Sequence, residues 1–399
     1  MMKRTVLIMA SMMAAISLSA SYRILSVDEQ RAEASMKPAR AQTLFERAAS
    51  SQSGPMAAMF RADLEHTGVY RTSGVKRLRG LSWKFKTERV IEAWFSSPTV
   101  ADGIVYVGSD DGNLYAIDAG TGTERWRFKT GGVVYSSPTV VGGVVLVGSH
   151  DGNLYAVDAK TGGEMWRFKT GYRVYSSPAV SEGVVYFGSA DANFYAVDLV
   201  TGREKWKFKA VDSIESSPAL AGGAVYFGSW DYHLYALEAE TGLERWRFKT
   251  GYRVLSSPAV ADQTIFFGSM DGNFYALDSQ TGKERWRFRT GDRIRSSPAI
   301  ADGAVYFGSD DGNLYALDER SGQLRWKFKT GSKVISSPSV ANGLIYFGSL
   351  DAYFYALDTG TGKLRWKFKT FPNWMRSSPA VSDGAIYFGC DDGYLYALH

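Results

Sequence analysis

The sequence predicts an all-β fold, an eight-bladed β-propeller of four-stranded antiparallel blades, and three observations carry that prediction. Tryptophan recurs at Trp83, Trp126, Trp166, Trp206, Trp246, Trp286, Trp326 and Trp366, 40 residues apart after a first interval of 43. A Ser-Ser-Pro triplet recurs eight times, starting at Ser96, Ser136, Ser176, Ser216, Ser256, Ser296, Ser336 and Ser377. A Trp strand with no unit of its own, 83–87, precedes the first triplet, while the last unit stops at Tyr394–His399 without one. Four-stranded units of about 40 residues with a Trp signature stack as blades around an axis. The strand at the front should complete the blade at the back, which removes the free edge of the ring.

Taken in chain order, Lys3 and Arg4 precede an apolar run from Thr5 to Ala20 that ends in Ser19, Ala20 and Ser21. This is the layout of a secretory signal, so residues 1–21 are expected to direct export to the periplasm or beyond. The run is short for a membrane span, which leaves a signal anchor as the alternative. Residues 22–58 are polar and Ala-rich and read as a linker. Residues 59–82 form a lead-in to the repeats at 83–399.

One repeat, Ser296 to Thr330, shows the four strands. The run S-S-P-A-I is small enough to sit where strands converge on an axis. A-V-Y-F-G-S and N-L-Y-A-L-D follow, joined at Asp311-Gly312 by dipeptide chemistry that suits a tight hairpin. In R-W-K-F-K, Trp326 and Phe328 point one way and Lys327 and Lys329 the other, as on an outer edge strand that blocks edge-to-edge pairing with cations. Sixteen Lys or Arg occupy such positions over eight copies, and edge protection explains them better than nucleic acid does.

Composition agrees. The 399 residues are 45% hydrophobic and 14% aromatic, enough for a large core, and one Cys excludes an intrachain disulfide framework. The formal charge of +5 arises in residues 1–82, with 12 basic and 6 acidic residues, against 34 and 35 in residues 83–399. A near-neutral body gives no global argument for nucleic acid.

The repeat, a Y-x-G-S strand, an L-Y-A-L-D strand, T-G and then W-x-F, resembles the pyrroloquinoline-quinone-like (PQQ-like) propeller repeat over residues 83–399. The stretch Met59–Gly68 is similar to the segment that leads into such propellers. The resemblance implies two possible branches. Quinoprotein dehydrogenases hold the quinone and Ca²⁺ over the axis, and their alcohol dehydrogenases carry a vicinal disulfide and long insertions. This chain has only Cys390 and nearly uninterrupted repeats. The non-catalytic BamB-like branch matches the plain blades and the export signal, although the Cys that bears its lipid is absent here.

Asp111, Asp151, Asp191, Asp231, Asp271, Asp311, Asp351 and Asp392 hold one repeat position and are expected to cap a turn rather than bind Ca²⁺. The four His, His66, His150, His233 and His399, form no metal spacing, and His150 and His233 are expected to be exposed loop residues. No nucleophile with a visible base is present, so no catalytic, metal or cofactor site is assigned. The informative residues are departures from the repeat on the face of the second-to-third-strand loops. One cluster, at the closure seam, brings in Trp94, Phe95, Phe371, Trp374 and Met375, candidates for a protein contact or for a cover over the seam and channel. The other is Trp230, Tyr232 and His233 in blade 4, near Asp212 and Glu215. Around that face stand Arg173, Arg253, Arg293, Arg295, Lys333 and Arg376, a rim that could bind an acidic peptide or a carboxylated ligand, or simply be solvated.

The resulting expectation is an exported, non-enzymatic, monomeric scaffold that binds an envelope or outer-membrane protein through one loop face. The alternative is a small-ligand or PQQ-binding propeller, a sensor or an oxidoreductase.

Overall fold

The computed structural model describes residues 58–88, 96–370 and 374–399. The expected signal segment, the linker before Ala58, Trp94, Phe95 and Phe371 lie outside the described residues. Among the described residues there are 32 strands in eight four-stranded sheets and no helix, so none is long and apolar enough to cross a membrane.

Blade 1 comprises β2 (Thr99–Ala101), β3 (Ile104–Gly108), β4 (Asn113–Asp118) and β5 (Glu124–Lys129), paired in that order. Its fourth strand has an alternating burial pattern with Trp126 and Phe128 inward and the cations exposed. The same pattern repeats through blade 7. Blade 8 is built from both ends of the chain, with β1 (Leu81–Lys86) pairing antiparallel to β32 (Tyr394–Leu398) beside β31 (Ala385–Cys390) and β30 (Ala380–Ser382). The ring is closed as the sequence predicts.

Cohesion between blades is written into the repeat. The Trp126 indole Nε1 donates to the Ala159 carbonyl of the next blade at 2.9 Å, and Trp326 does the same to Thr359. Gly162, of the T-G pair in that next blade, has φ +71°, and a Cβ there would lie 2.8 Å from the Trp126 ring. Trp366 faces blade 8, where the chain is cut, and donates instead to the Val75 carbonyl of the lead-in at 2.9 Å.

The hairpin chemistry differs in one respect from the sequence reading. Asp311-Gly312 are the last two of four connecting residues, 309–312, with Gly312 at φ +82° and Gly312 N–H donating to Ser309 O. The longer loop gives Asp311 room to accept from Asn313 N–H at 3.0 Å and from the Tyr315 hydroxyl at 2.6 Å. Its second oxygen also accepts from Gly291 N–H, at 2.9 Å, on the segment leading into the blade. The recurrent Asp thus caps its turn, as expected, and also ties two loops together.

The lead-in crosses the axis. Ala58 and Val140 form an antiparallel bridge and Val69 and Val340 a parallel one, and the carbonyls of Leu64, Glu65 and Thr67 accept from Leu220, Val260 and Ile300. These two bridges and three carbonyl contacts are all with innermost strands. Arg61 is buried here and donates to the carbonyls of Pro338 (2.6 Å) and Pro298 (2.5 Å), and burial lowers its pKa to about 10.

Candidate functional site

With the lead-in across the axis, the central channel becomes a cup of about 550 Å³, with Phe60 in its lining. The second serine of every Ser-Ser-Pro triplet, Ser97 through Ser378, lines the cup. Each of these serines donates its N–H to the next one's Oγ, as in Ser97 to Ser137 (3.0 Å) and Ser217 to Ser257 (2.9 Å). Each Oγ accepts one such bond and can turn its own proton toward the cup.

Above the serines sits the residue that precedes each triplet. Tyr135, Tyr175, Glu215, Leu255, Arg295, Ile335 and Arg376 are the described members of this tier. Sequence reasoning found its charged members but missed Tyr135, Tyr175, Leu255 and Ile335. The signal was available, because this is the one column beside Ser-Ser-Pro whose chemistry changes from blade to blade.

The charged members are held. Arg295 binds Asp310 through Nε (3.2 Å) and Nη2, and Lys333 shares the same carboxylate at 3.4 Å. Arg376 pairs with Asp391 at 2.8 Å and stacks on Trp374 at 4.7 Å. Glu215 is largely buried, and burial pushes its pKa to about 7, against the opposing pull of Trp230, Arg253 and Arg173. His150 is not an exposed loop residue. It is wedged between Tyr135 and Tyr175, with ring centroids at 4.6 and 4.2 Å, and burial and the Arg173 charge lower its pKa to about 4.

The structure separates the seam cluster. Trp374 is 49% exposed, while Met375 is fully buried beside Gly348, whose added Cβ would lie 2.6 Å from it. In blade 4, His233 is not an exposed loop residue either, since it opens the third strand (His233–Glu238), is partly buried and hydrogen-bonds Asp231, and Tyr232 stacks on Tyr252 at 5.2 Å. Arg253 lies 3.9 Å over the Trp230 ring, and Arg173 lies 5.3 Å over Tyr172. Arg293 is exposed. The loop face therefore carries aromatic and Arg stacks over the approaches to blades 3, 5 and 8. Among the described residues no group of three His, Cys, Asp or Glu is placed to hold a metal.

Fold and repeat define the class, an eight-bladed PQQ-like propeller with a cup on its axis. The profile of the family described as outer membrane protein assembly factor BamB matches residues 76–172, 150–287, 231–339 and 282–399, and the chain belongs to that family. Comparison with curated proteins finds no sequence match. Among solved structures, BamB from Moraxella catarrhalis is similar at 18% identity, covering 80% of this chain and 99% of that one with a TM-score of 0.67. The quinohemoprotein alcohol dehydrogenase from Comamonas testosteroni matches at 18% identity, covering 85% and 80% with a TM-score of 0.73. A europium-containing methanol dehydrogenase matches at 15% identity, covering 90% and 100% with a TM-score of 0.75. At such identities these likenesses speak for the fold alone.

Proposed function

We propose that this protein is an exported, non-enzymatic propeller scaffold that binds a protein partner of the cell envelope through its loop face. The supporting observation is the set of aromatic and Arg stacks on that face, Tyr172 with Arg173, Trp230 with Arg253 and Trp374 with Arg376. Trp, Tyr and Arg dominate binding energy at protein interfaces, and stacking pre-pays the ordering of the long Arg side chains. Family membership and the family's printed description agree with this reading.

The cup supports a second reading, in which it takes a small polar ligand. Its volume is in the range of small-molecule sites, and eight hydroxyls ring its wall. The quinone with Ca²⁺ does not fit the residues present. Cys390, the only Cys, is buried in β31 and cannot form a vicinal disulfide, and the mouth's Arg295 and Arg376 are already held by Asp310 and Asp391.

The test is retention of envelope proteins on the immobilised chain, compared with a Trp230→Ala, Trp374→Ala variant, alongside calorimetric titration with PQQ and Ca²⁺. Loss of a retained protein in the variant supports the scaffold. Saturable quinone binding with alcohol turnover would replace it with an oxidoreductase.

A further inference from the structure

The eight outer strands are not equivalent. In blades 1 to 5 each opens on a glutamate, Glu124, Glu164, Glu204, Glu244 and Glu284, and each glutamate pairs with a cation three residues on. Arg127 to Glu124 is 2.8 Å and Arg287 to Glu284 is 2.8 Å. In blades 6 to 8 the same register position is leucine. Leu317 faces Leu324 and Leu357 faces Leu364, where Ile117 faces Glu124 in blade 1, and Leu81 opens the strand of blade 8. Leu324, Leu364 and Leu81 are 45, 43 and 41% exposed. Three of the seven large exposed apolar side chains among the described residues thus fall in one contiguous sector.

The same replacement releases the cations. Lys327, Lys367 and Lys84 have no carboxylate within ion-pair distance among the described residues. Lys367 and Lys84 lie instead over Tyr353 and Tyr394, at 4.3 and 4.4 Å, where most other blades carry Asn. The lead-in enlarges the patch, because Lys76, Arg77 and Arg79 are exposed just before β1. Residues 323–329, 363–369 and 76–86 hold three, four and five cations, twelve in all, and no acid. Arg325 and Arg365 of these are neutralised by Asp318 and Asp358.

From this sector we infer that the flank of blades 6 to 8, on the outer rim and apart from the loop face, docks on an anionic lipid surface. The chemistry favours a bilayer over an acidic protein. The three released cations are all lysine, whereas four of the five paired counterparts are arginine. Lysine is a compact, hydrated point charge suited to a diffuse field, and arginine is the residue for a fixed carboxylate. Half-exposed leucines and tyrosines at a lysine-rich surface are what an interface of headgroups and acyl chains accommodates.

The test is sedimentation of the full chain with vesicles of phosphatidylcholine alone or containing about a third phosphatidylglycerol, a composition that sets up the attracting field. The expected result is at least about tenfold tighter binding to the anionic vesicles, weakening with salt. The Lys84→Glu, Lys327→Glu, Lys367→Glu variant should lose that gain. Arg127→Glu, Arg167→Glu, Lys207→Glu, with the same change in net charge on blades 1 to 3, should keep it. Thermal unfolding of both variants controls for folding. Equal binding to the two vesicle types overturns the inference, as do equal losses in the two triple variants. Capture of an acidic protein without any preference for anionic vesicles also overturns it.

Discussion

Ser378 N–H donates to Ser97 Oγ at 3.0 Å across 281 residues of sequence, and with that bond a circle of eight serine-to-serine hydrogen bonds closes around the axis. The other seven links join serines of consecutive blades, such as Ser297 to Ser337 at 2.9 Å. Ser97→Ala would leave a buried N–H without its acceptor at the one place where the ring is not covalently continuous. A loss of about 1–3 kcal/mol is expected, read as a lower midpoint in urea unfolding. An unchanged midpoint would show that the circle contributes nothing to closure.

Trp374 and Met375 are neighbours in sequence with opposite fates. Trp374→Ala should move stability by less than about 0.5 kcal/mol while reducing partner retention. Met375→Ala should cost about 2–5 kcal/mol, because it empties a fully buried site against Gly348. Thermal melts and pulldowns on the two variants separate contact from core. Equal destabilisation by both would refute the division.

Arg61 anchors the segment that floors the cup. Arg61→Ala strands the Pro298 and Pro338 carbonyls and should destabilise by roughly 3 kcal/mol or more. Limited proteolysis should then cut between residues 58 and 75 before the blades. A variant whose lead-in resists protease as the parent does would count against Arg61 as the anchor.

Two pH effects with opposite signs follow from the charged groups. Asp278 and Asp358 are lowered to about 2 by Arg285 with Thr281 and by Arg365 with Thr361. Their folded pKa lies below the unfolded one, so their contribution is whole above about pH 4 and is lost as pH falls through 2. These pairs are largely exposed, so each is worth only tenths of a kcal/mol. Arg285→Gln with Arg365→Gln should flatten the decline in melting temperature between pH 4 and 2.

Glu215 behaves the other way. Burial raises it to about 7, above its unfolded value of 4.5, so the folded state holds the proton more tightly. Stability is full below the unfolded pKa and falls as pH rises from about 4.5 through 7. Glu215→Gln should therefore raise the melting temperature at pH 8, by an amount equivalent to roughly 2 kcal/mol, and leave it nearly unchanged at pH 4. Equal effects at both pH values would rule out a protonated Glu215.

The blades and their closure were legible because each is specified locally, by Trp, Asp and Gly in fixed columns. The orphan strand at Trp83 needed only to be counted. The cup was not legible as a cup. Its floor comes from a segment outside the repeat, and nothing in Met59–Gly68 announces that Arg61 will reach Pro298 and Pro338. His150 was misread because its environment depends on tyrosines at 135 and 175, one before and one after it, that the fold brings together. Arg295 and Arg376 were found as departures from the repeat. Their carboxylate partners Asp310 and Asp391 were hidden beside the recurrent Asp of the same loops.

The pairing of β1 with β32 places the two ends of the propeller side by side, with Arg79 N–H donating to His399 O at 2.7 Å. Within blade 8 the ladder between β1 and β32 thus takes the place that a connecting turn holds in the other seven blades. A short linker from His399 to Arg79 would join the strands into a continuous loop but would cut away residues 58–78, with Arg61 and the Val75 carbonyl that holds Trp366, and new termini placed in any turn between third and fourth strands, such as Thr161–Gly163, would leave every blade with its four strands. Circular permutation should relocate the seam freely around the ring while the floor of the cup, tethered to one point of the sequence, fixes where an extra segment must be carried.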